Sequence, residues 1–213
     1  MASHDFSFEA PFTMIVSGGS MSGKTEFTLK LLRHVDQMIK PKPDIIYYCY
    51  GEIQQRFQDF KGVQFQQGFD EEIITRENLG GRNCLLILDD LMDSLESKTL
   101  SALFTKYAHH RKISTVFLVQ NLYYKGIKSM RDIAQSTHYN VLMKQPRDRT
   151  AIMTMGRQMY PSKSRFFIES YDDATKLPFS YLLVDSKPST PDNGRLRAKI
   201  FPGERTVCYI IKK

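Results

Sequence analysis

The chain has 213 residues and a mass of 24.7 kDa, with 41% hydrophobic and 25% charged residues, a balance that excludes a largely disordered polymer and suits one well-buried domain. Its net charge of +7 is uneven: residues 125–165 carry nine basic side chains against two acidic ones, which points to a polyanionic partner or to a solvated basic face. No apolar run approaches the ~18 residues of a membrane span, and Met1–Phe12, with Asp5 and Glu9, lacks the basic start and apolar core of a secretory signal.

Taken in chain order, Phe12–Ser17 is a short apolar strand ending at Gly18-Gly19. From Lys24 to about Ile39, Phe27, Leu31, Val35 and Met38 recur at helical spacing until Pro41 and Pro43 stop the pattern. Asp44–Tyr50 predicts a second strand. After Gln-rich connections, Cys84–Asp89 is the unbroken apolar run of a central parallel strand. A helix is expected over Leu95–His110, a strand over Ile113–Gln120, a helix near Ile127–Ala134 and a strand at Tyr139–Met143. Helices at Arg149–Tyr160 and Lys163–Thr175 precede a strand at Phe179–Asp185, and strands near Ala198–Phe201 and Thr206–Ile211 close the chain. Alternating strands and helices predict an α/β three-layer sandwich with a mainly parallel sheet, and the closing strands an appended C-terminal β-hairpin. The expected organisation is one domain over 1–213: an arm over 1–11, a core over 12–185, and basic strands and tail over 186–213. Cys49, Cys84 and Cys208 are too scattered for a disulfide framework or a cysteine zinc site, and fit a reducing compartment.

Gly18-Gly19-Ser20-Met21-Ser22-Gly23-Lys24-Thr25 matches G-x-x-x-x-G-K-[ST] at every fixed position. Glycines let such a loop turn successive N–H groups toward phosphate oxygens, and the helix that follows adds its own unpaired N–H groups and dipole. Lys24 is positioned for the β- and γ-phosphates of ATP, Thr25 for Mg²⁺, and Glu26 continues the phosphate-binding turn. The strand ending Asp89-Asp90 supplies the acidic half: Asp89 for the metal, Asp90 for the attacking water. Asp90 stands where related enzymes often carry glutamate. Read as residues alone, these features leave open a motor-type ATPase, a P-loop kinase for a small acceptor, or a nucleotide-dependent interaction protein with little turnover. No guanine-reading N-K-x-D is present. Gln120 is either a γ-phosphate sensor or a polar strand exit, and Arg111 is either a charge stabiliser or a basic helix end. Tyr123, Tyr124, Phe166 and Phe167 are possible base-stacking residues, with core packing the simpler role.

The loop Gly18–Thr25, the phrases Ile46–Glu52, Leu85–Asp90 and Leu103–Arg111, and Phe117–Asn121, Lys144–Asp148, Arg157–Pro161 and Lys187–Asp192 together resemble viral genome-packaging ATPases of the FtsK–HerA class. These occur in adomaviruses, adintoviruses, Polinton-type elements and, more distantly, poxviruses. The resemblance implies a RecA/FtsK-like P-loop NTPase that moves double-stranded DNA into a capsid, assembled as a hexameric or pentameric ring, with capsid or portal components as further partners. It implies Lys24, Asp89, Asp90 and Gln120 as catalytic residues and Arg111 as an arginine finger acting on a neighbour, with Arg147 and Arg149 as the other basic candidates. The expected location is intracellular, in the host nucleus or cytoplasm, or with the virion. Candidate DNA contacts are Lys125, Lys128, Arg131, Arg195, Arg197 and Lys199, reading phosphates without base specificity.

Overall fold

The structure, a computed structural model, describes residues 6–52, 57, 59–92, 94–122, 130–147 and 149–211. The first half runs β1 (Phe8–Glu9), β2 (Thr13–Ser17), α1 (Lys24–Arg33), α2 (Val35–Met38), β3 (Ile39–Lys40), β4 (Ile45–Tyr50), β5 (Val63–Gln67), α3 (Arg76–Leu79) and β6 (Cys84–Asp89). The second runs α4 (Ser97–Ala102), a π-helical turn (Leu103–Tyr107), α5 (Ala108–Arg111), β7 (Ile113–Val119), α6 (Met130–Gln135), β8 (Tyr139–Met143), α7 (Thr150–Met159), α8 (Ser164–Ala174), β9 (Tyr181–Asp185), β10 (Leu196–Ala198) and β11 (Val207–Tyr209).

Among the described residues these strands form a nine-stranded sheet in the order β11-β10-β9-β8-β2-β7-β6-β4-β5, with β1 and β3 paired apart from it. From β8 through β5 every neighbouring pair is parallel. Beyond β8 the pairs β8–β9, β9–β10 and β10–β11 are antiparallel. The central strands are buried on both faces, as their continuous apolar runs require. Alternation along each strand sorts the core into two layers. Met14, Val16, Tyr48, Leu85, Ile87 and Leu118 face α1, while Ile15, Cys49, Leu86, Leu88 and Phe117 face α4, α7 and α8.

Helix α1 is held by Phe27, Leu29, Leu31 and Leu32, all at most 6% exposed. At roughly 1.5–3 kcal/mol per buried large apolar side chain, this packing fixes the helix start against the sheet. The predicted single helix from Lys24 to Ile39 breaks at His34, and Ile39 leaves it to pair with Phe8. The Leu95–His110 helix is α4, the π-helical turn and α5 in succession. The Gln-rich connection contains β5, an edge strand whose half-exposed glutamines hid it from a search for apolar runs. The C-terminal hairpin is present, but its first strand is Leu196–Ala198 rather than Ala198–Phe201. The left-handed backbone of Lys199 (φ 55°) ends it, and Ile200 and Phe201 are buried beyond the strand.

Candidate nucleotide site

The site lies where the parallel strands end. The Gly18 N–H donates to the Val119 carbonyl at 3.2 Å, tying the loop to β7. A Cβ at Gly18 would stand 2.5 Å from both Met143 Cβ and Ser22 Oγ, so only glycine lets the loop pass β8. Gly23 has φ 103° and begins α1 with no side chain capping the first turn. The N–H groups of that turn are therefore available to an anion. Ser20 and Met21 are exposed at the loop tip, Glu26 sits in the first turn of α1, and the buried Ser22 Oγ has no hydrogen-bond partner.

The Lys24 ammonium donates to the carbonyls of Gly18 (2.8 Å) and Gly19 (3.0 Å), placing the charge directly over the loop. Burial lowers its pKa, opposed by the nearby carboxylates of Asp89 and Asp90. Across the sheet edge, the Thr25 hydroxyl donates to Asp89 Oδ2 at 3.1 Å and the Tyr48 hydroxyl donates to the same oxygen at 2.7 Å. Tyr48 pairs in register with Ile87, two positions before Asp89 and on the same face. A diagonal neighbour of that kind is within reach of a long aromatic side chain. Asp89 is only 6% exposed; burial raises its pKa, while the Tyr48 and Thr25 hydrogen bonds favour the charged form.

Asp90 is exposed, with a left-handed backbone (φ 57°) that turns the chain sharply at the strand end. Its carbonyl lies 2.5 Å from where a Gly51 Cβ would stand, so Gly51 is required for that turn. The Thr25 hydroxyl and the Asp89 carboxylate are hard oxygen donors on one spot. They fit Mg²⁺, which takes one or two protein ligands together with phosphate oxygens and water. Among the described residues no group of three or more His, Cys, Asp or Glu side chains forms an all-protein metal cage.

Gln120 is exposed immediately after β7, between the loop strand and the acidic strand. Its carbonyl accepts from Gln145 Nε2 at 3.0 Å, and Gln145 Oε1 lies 2.9 Å from where a Gly19 Cβ would stand. Gln145 therefore sits between the loop and the β7 exit, bonded to the exit. It and Tyr48 are site residues that motif reading missed, because their strands border β2 and β6 in space and not in sequence. A polar residue just past an apolar strand was the available signal for Gln145.

Arg111 precedes β7, so it lies at the opposite edge of the sheet from its own loop. Seven strand residues put these edges roughly 20 Å apart. Its guanidinium donates to the Ile74 carbonyl at 3.0 Å and stacks on Tyr107 at 3.7 Å. Arg147 is exposed past β8, and Arg149 is paired with Asp172 at 2.7 Å.

Two of the expected DNA contacts are engaged within the fold. Arg195 donates to Asp192 (2.9 Å) and to the Lys187 carbonyl (2.9 Å), with its side chain 19% exposed. Arg197 pairs with Asp185 at 3.5 Å and stacks on Phe6 at 4.9 Å. Both guanidinium groups therefore make contacts within the fold, in addition to any contact with DNA phosphates. Lys199 is exposed. Arg131 falls in α6, whereas Lys125, Lys128, Tyr123 and Tyr124 lie outside the described residues. Phe167 is fully buried core, and Phe166 packs edge-on against Tyr160.

A glycine loop between a central parallel strand and a helix, an ammonium over that loop, and a hydroxyl–carboxylate pair across the sheet edge define a P-loop NTPase. A family model described as poxvirus A32 protein matches residues 3–159. The chain belongs to this family, and with it to the viral genome-packaging ATPases. Against curated protein sequences nothing matches significantly. Among solved structures, the chain is similar to the genome-packaging NTPase B204 of Sulfolobus turreted icosahedral virus 2 in complex with AMPPCP. That match has 11% identity and a TM-score of 0.45, covering 93% of this chain and 96% of that one. It is also similar to the P4 protein of bacteriophage phi6 in complex with ADP (17% identity, TM-score 0.37, 62% of this chain and 50% of that one). The P4 protein of bacteriophage phi13 matches comparably (13% identity, TM-score 0.39, 62% and 51%). The chain thus spans about half the length of the two bacteriophage proteins.

Proposed function

We propose that this chain is a Mg²⁺-dependent ATPase that drives double-stranded DNA through a ring of its own copies into a capsid. The observation carrying this reading is the convergence of Lys24, Thr25 and Asp89 on one point of the sheet edge. The loop N–H groups and Lys24 bind the triphosphate and draw negative charge from the γ-phosphate. Thr25 and Asp89 would hold Mg²⁺, which supplies charge neutralisation at the β- and γ-phosphates. Asp90, exposed beside them, orients the attacking water and accepts its proton. Gln120 hydrogen-bonds that water or the γ-phosphate from the intervening strand. Arg111 serves a neighbouring subunit, since its own loop is a strand length away; its role therefore rests on ring assembly.

The basic excess over 125–165, with Lys199, supports a phosphate-gripping surface whose affinity falls with salt. The three free cysteines support work in a reducing, intracellular setting. The test is ATP hydrolysis by size-resolved protein with and without double-stranded DNA. Free phosphate released faster in the presence of DNA is expected. Phosphate appearing on a small acceptor, or tight ATP binding without turnover, would overturn the motor reading.

A further inference from the structure

A large cavity opens beside the phosphate loop and is unused by the chemistry above. It measures about 1070 Å³ and is bounded by the outer face of α1 (Glu26, Lys30), the segment 176–180 and the C-terminal hairpin. That is the upper end of small-ligand pocket sizes, roughly 300–1,000 Å³. Gly23 lines it, so the cavity begins at the residue where the loop becomes helix.

Phe179 stands at that junction. Its ring lies 3.0 Å from where a Gly23 Cβ would stand, yet the side chain is 66% exposed. Its backbone has φ 60°, a left-handed conformation that a bulky side chain adopts only when its surroundings impose it. Pro178 precedes it, and Leu177 beside it is 60% exposed. An exposed aromatic held in a disfavoured conformation at the mouth of a phosphate loop is a stacking face in search of a flat ligand. The opposite wall offers polar groups: Lys199 and Arg205 are exposed, and the Tyr209 hydroxyl donates to Asp173 at 2.7 Å.

Resting on the phosphate-loop reading above, we propose that this cavity takes the nucleoside half of the substrate, with the base stacked on Phe179 and the ribose between α1 and the hairpin. The geometry favours it because a triphosphate seated on Gly18–Thr25 has its sugar end at the N-terminus of α1, where this cavity opens. Stacking tolerates any base, since every base has a π-face. The site therefore strengthens nucleotide binding while discriminating weakly between purines.

The test compares two probes, ATP and inorganic tripolyphosphate, by calorimetry on the full chain. For the unaltered protein, ATP should bind more tightly than tripolyphosphate. In Phe179→Ala, ATP affinity should fall about 10- to 100-fold, the scale of a lost base–aromatic stack, with tripolyphosphate affinity unchanged. Phe179→Tyr should retain ATP binding. Because the side chain is exposed, thermal unfolding of both variants should match the parent. Unchanged ATP affinity in Phe179→Ala overturns the proposal. So do equal losses for both probes, which would mean the ring acts by shaping Gly23. If the unaltered protein binds neither probe, the phosphate-loop reading itself fails.

Discussion

Thr25, on the first turn of α1, and Asp89, the last residue of β6, are 64 positions apart in sequence and meet at 3.1 Å. The contact sets a hydroxyl and a buried carboxylate on one point at the sheet edge, facing the Lys24 ammonium. Burial disfavours the charged forms of Lys24 and Asp89, and the two opposite charges partly offset that cost for each other.

Asp89→Asn separates stability from function. Burial raises the Asp89 pKa, so the folded protein binds that proton more tightly than the unfolded chain. Stability from this group is complete below the unfolded carboxylate value of about 3.9 and declines as pH rises through the raised folded value. The neutral amide still accepts from Tyr48 and Thr25. The variant should melt about 2–4 °C higher at neutral pH, on the order of 1 kcal/mol for a domain this size, while ATP hydrolysis is lost. An unchanged or lower melting temperature contradicts this reading of the buried carboxylate.

Tyr48→Phe tests how the proposed metal ligand, Asp89, is positioned. The ring should stay packed on Phe57 and Phe65, whose centroids lie 4.9 and 5.3 Å away, so the fold should persist. One donor to the Asp89 carboxylate is lost, a change of about 1 kcal/mol. Half-saturation by Mg²⁺ should require roughly 3- to 10-fold more metal, with turnover at saturating metal little changed. Loss of turnover at every Mg²⁺ concentration would give Tyr48 a different role.

Arg195→Ala should behave as a structural lesion. Its guanidinium ties exposed Asp192 to the part-buried carbonyls of Asp185 and Lys187, and removing it takes a donor from those two carbonyls, a loss of about 1–3 kcal/mol. Thermal denaturation should show that loss, whereas Lys199→Ala should melt like the parent and weaken DNA binding. An Arg195→Ala protein of parental stability that has lost DNA binding would instead place Arg195 in the DNA interface.

Arg111→Ala should retain nucleotide binding and lose most turnover, arginine fingers contributing about 10³-fold or more. Its own loop lies at the far edge of the sheet, so mixing Arg111→Ala with Lys24→Ala subunits should recover part of the activity. Absence of recovery in assemblies shown to be mixed contradicts action on a neighbour.

The loop, its lysine and threonine, and the Asp89 strand were legible in the sequence. Burial on both faces forces continuous apolar runs such as Cys84–Leu88, and a phosphate loop tolerates few residue choices. Which strands stand side by side was not legible. Only the insertion of β7 between β2 and β6 explains the position of Gln120, and only β4 beside β6 explains Tyr48. The pairing of Arg195 and Arg197 with Asp192 and Asp185 was not legible either, because a sequence count cannot show which acids fold back onto which bases. The edge strand β5 escaped because its side chains are half exposed and mostly amides.

The most direct measurement is ATP binding and hydrolysis by Lys24→Ala beside the unaltered protein, with unfolding followed on both. Lys24 donates to loop carbonyls and supports no core packing, so the variant should keep its cooperative unfolding. It should bind ATP at least tenfold more weakly, as loss of a charge-assisted contact of about 1.5–3 kcal/mol requires, and release no phosphate above background. A folded Lys24→Ala protein that hydrolyses ATP at the parental rate would contradict the assignment of this loop as the nucleotide site.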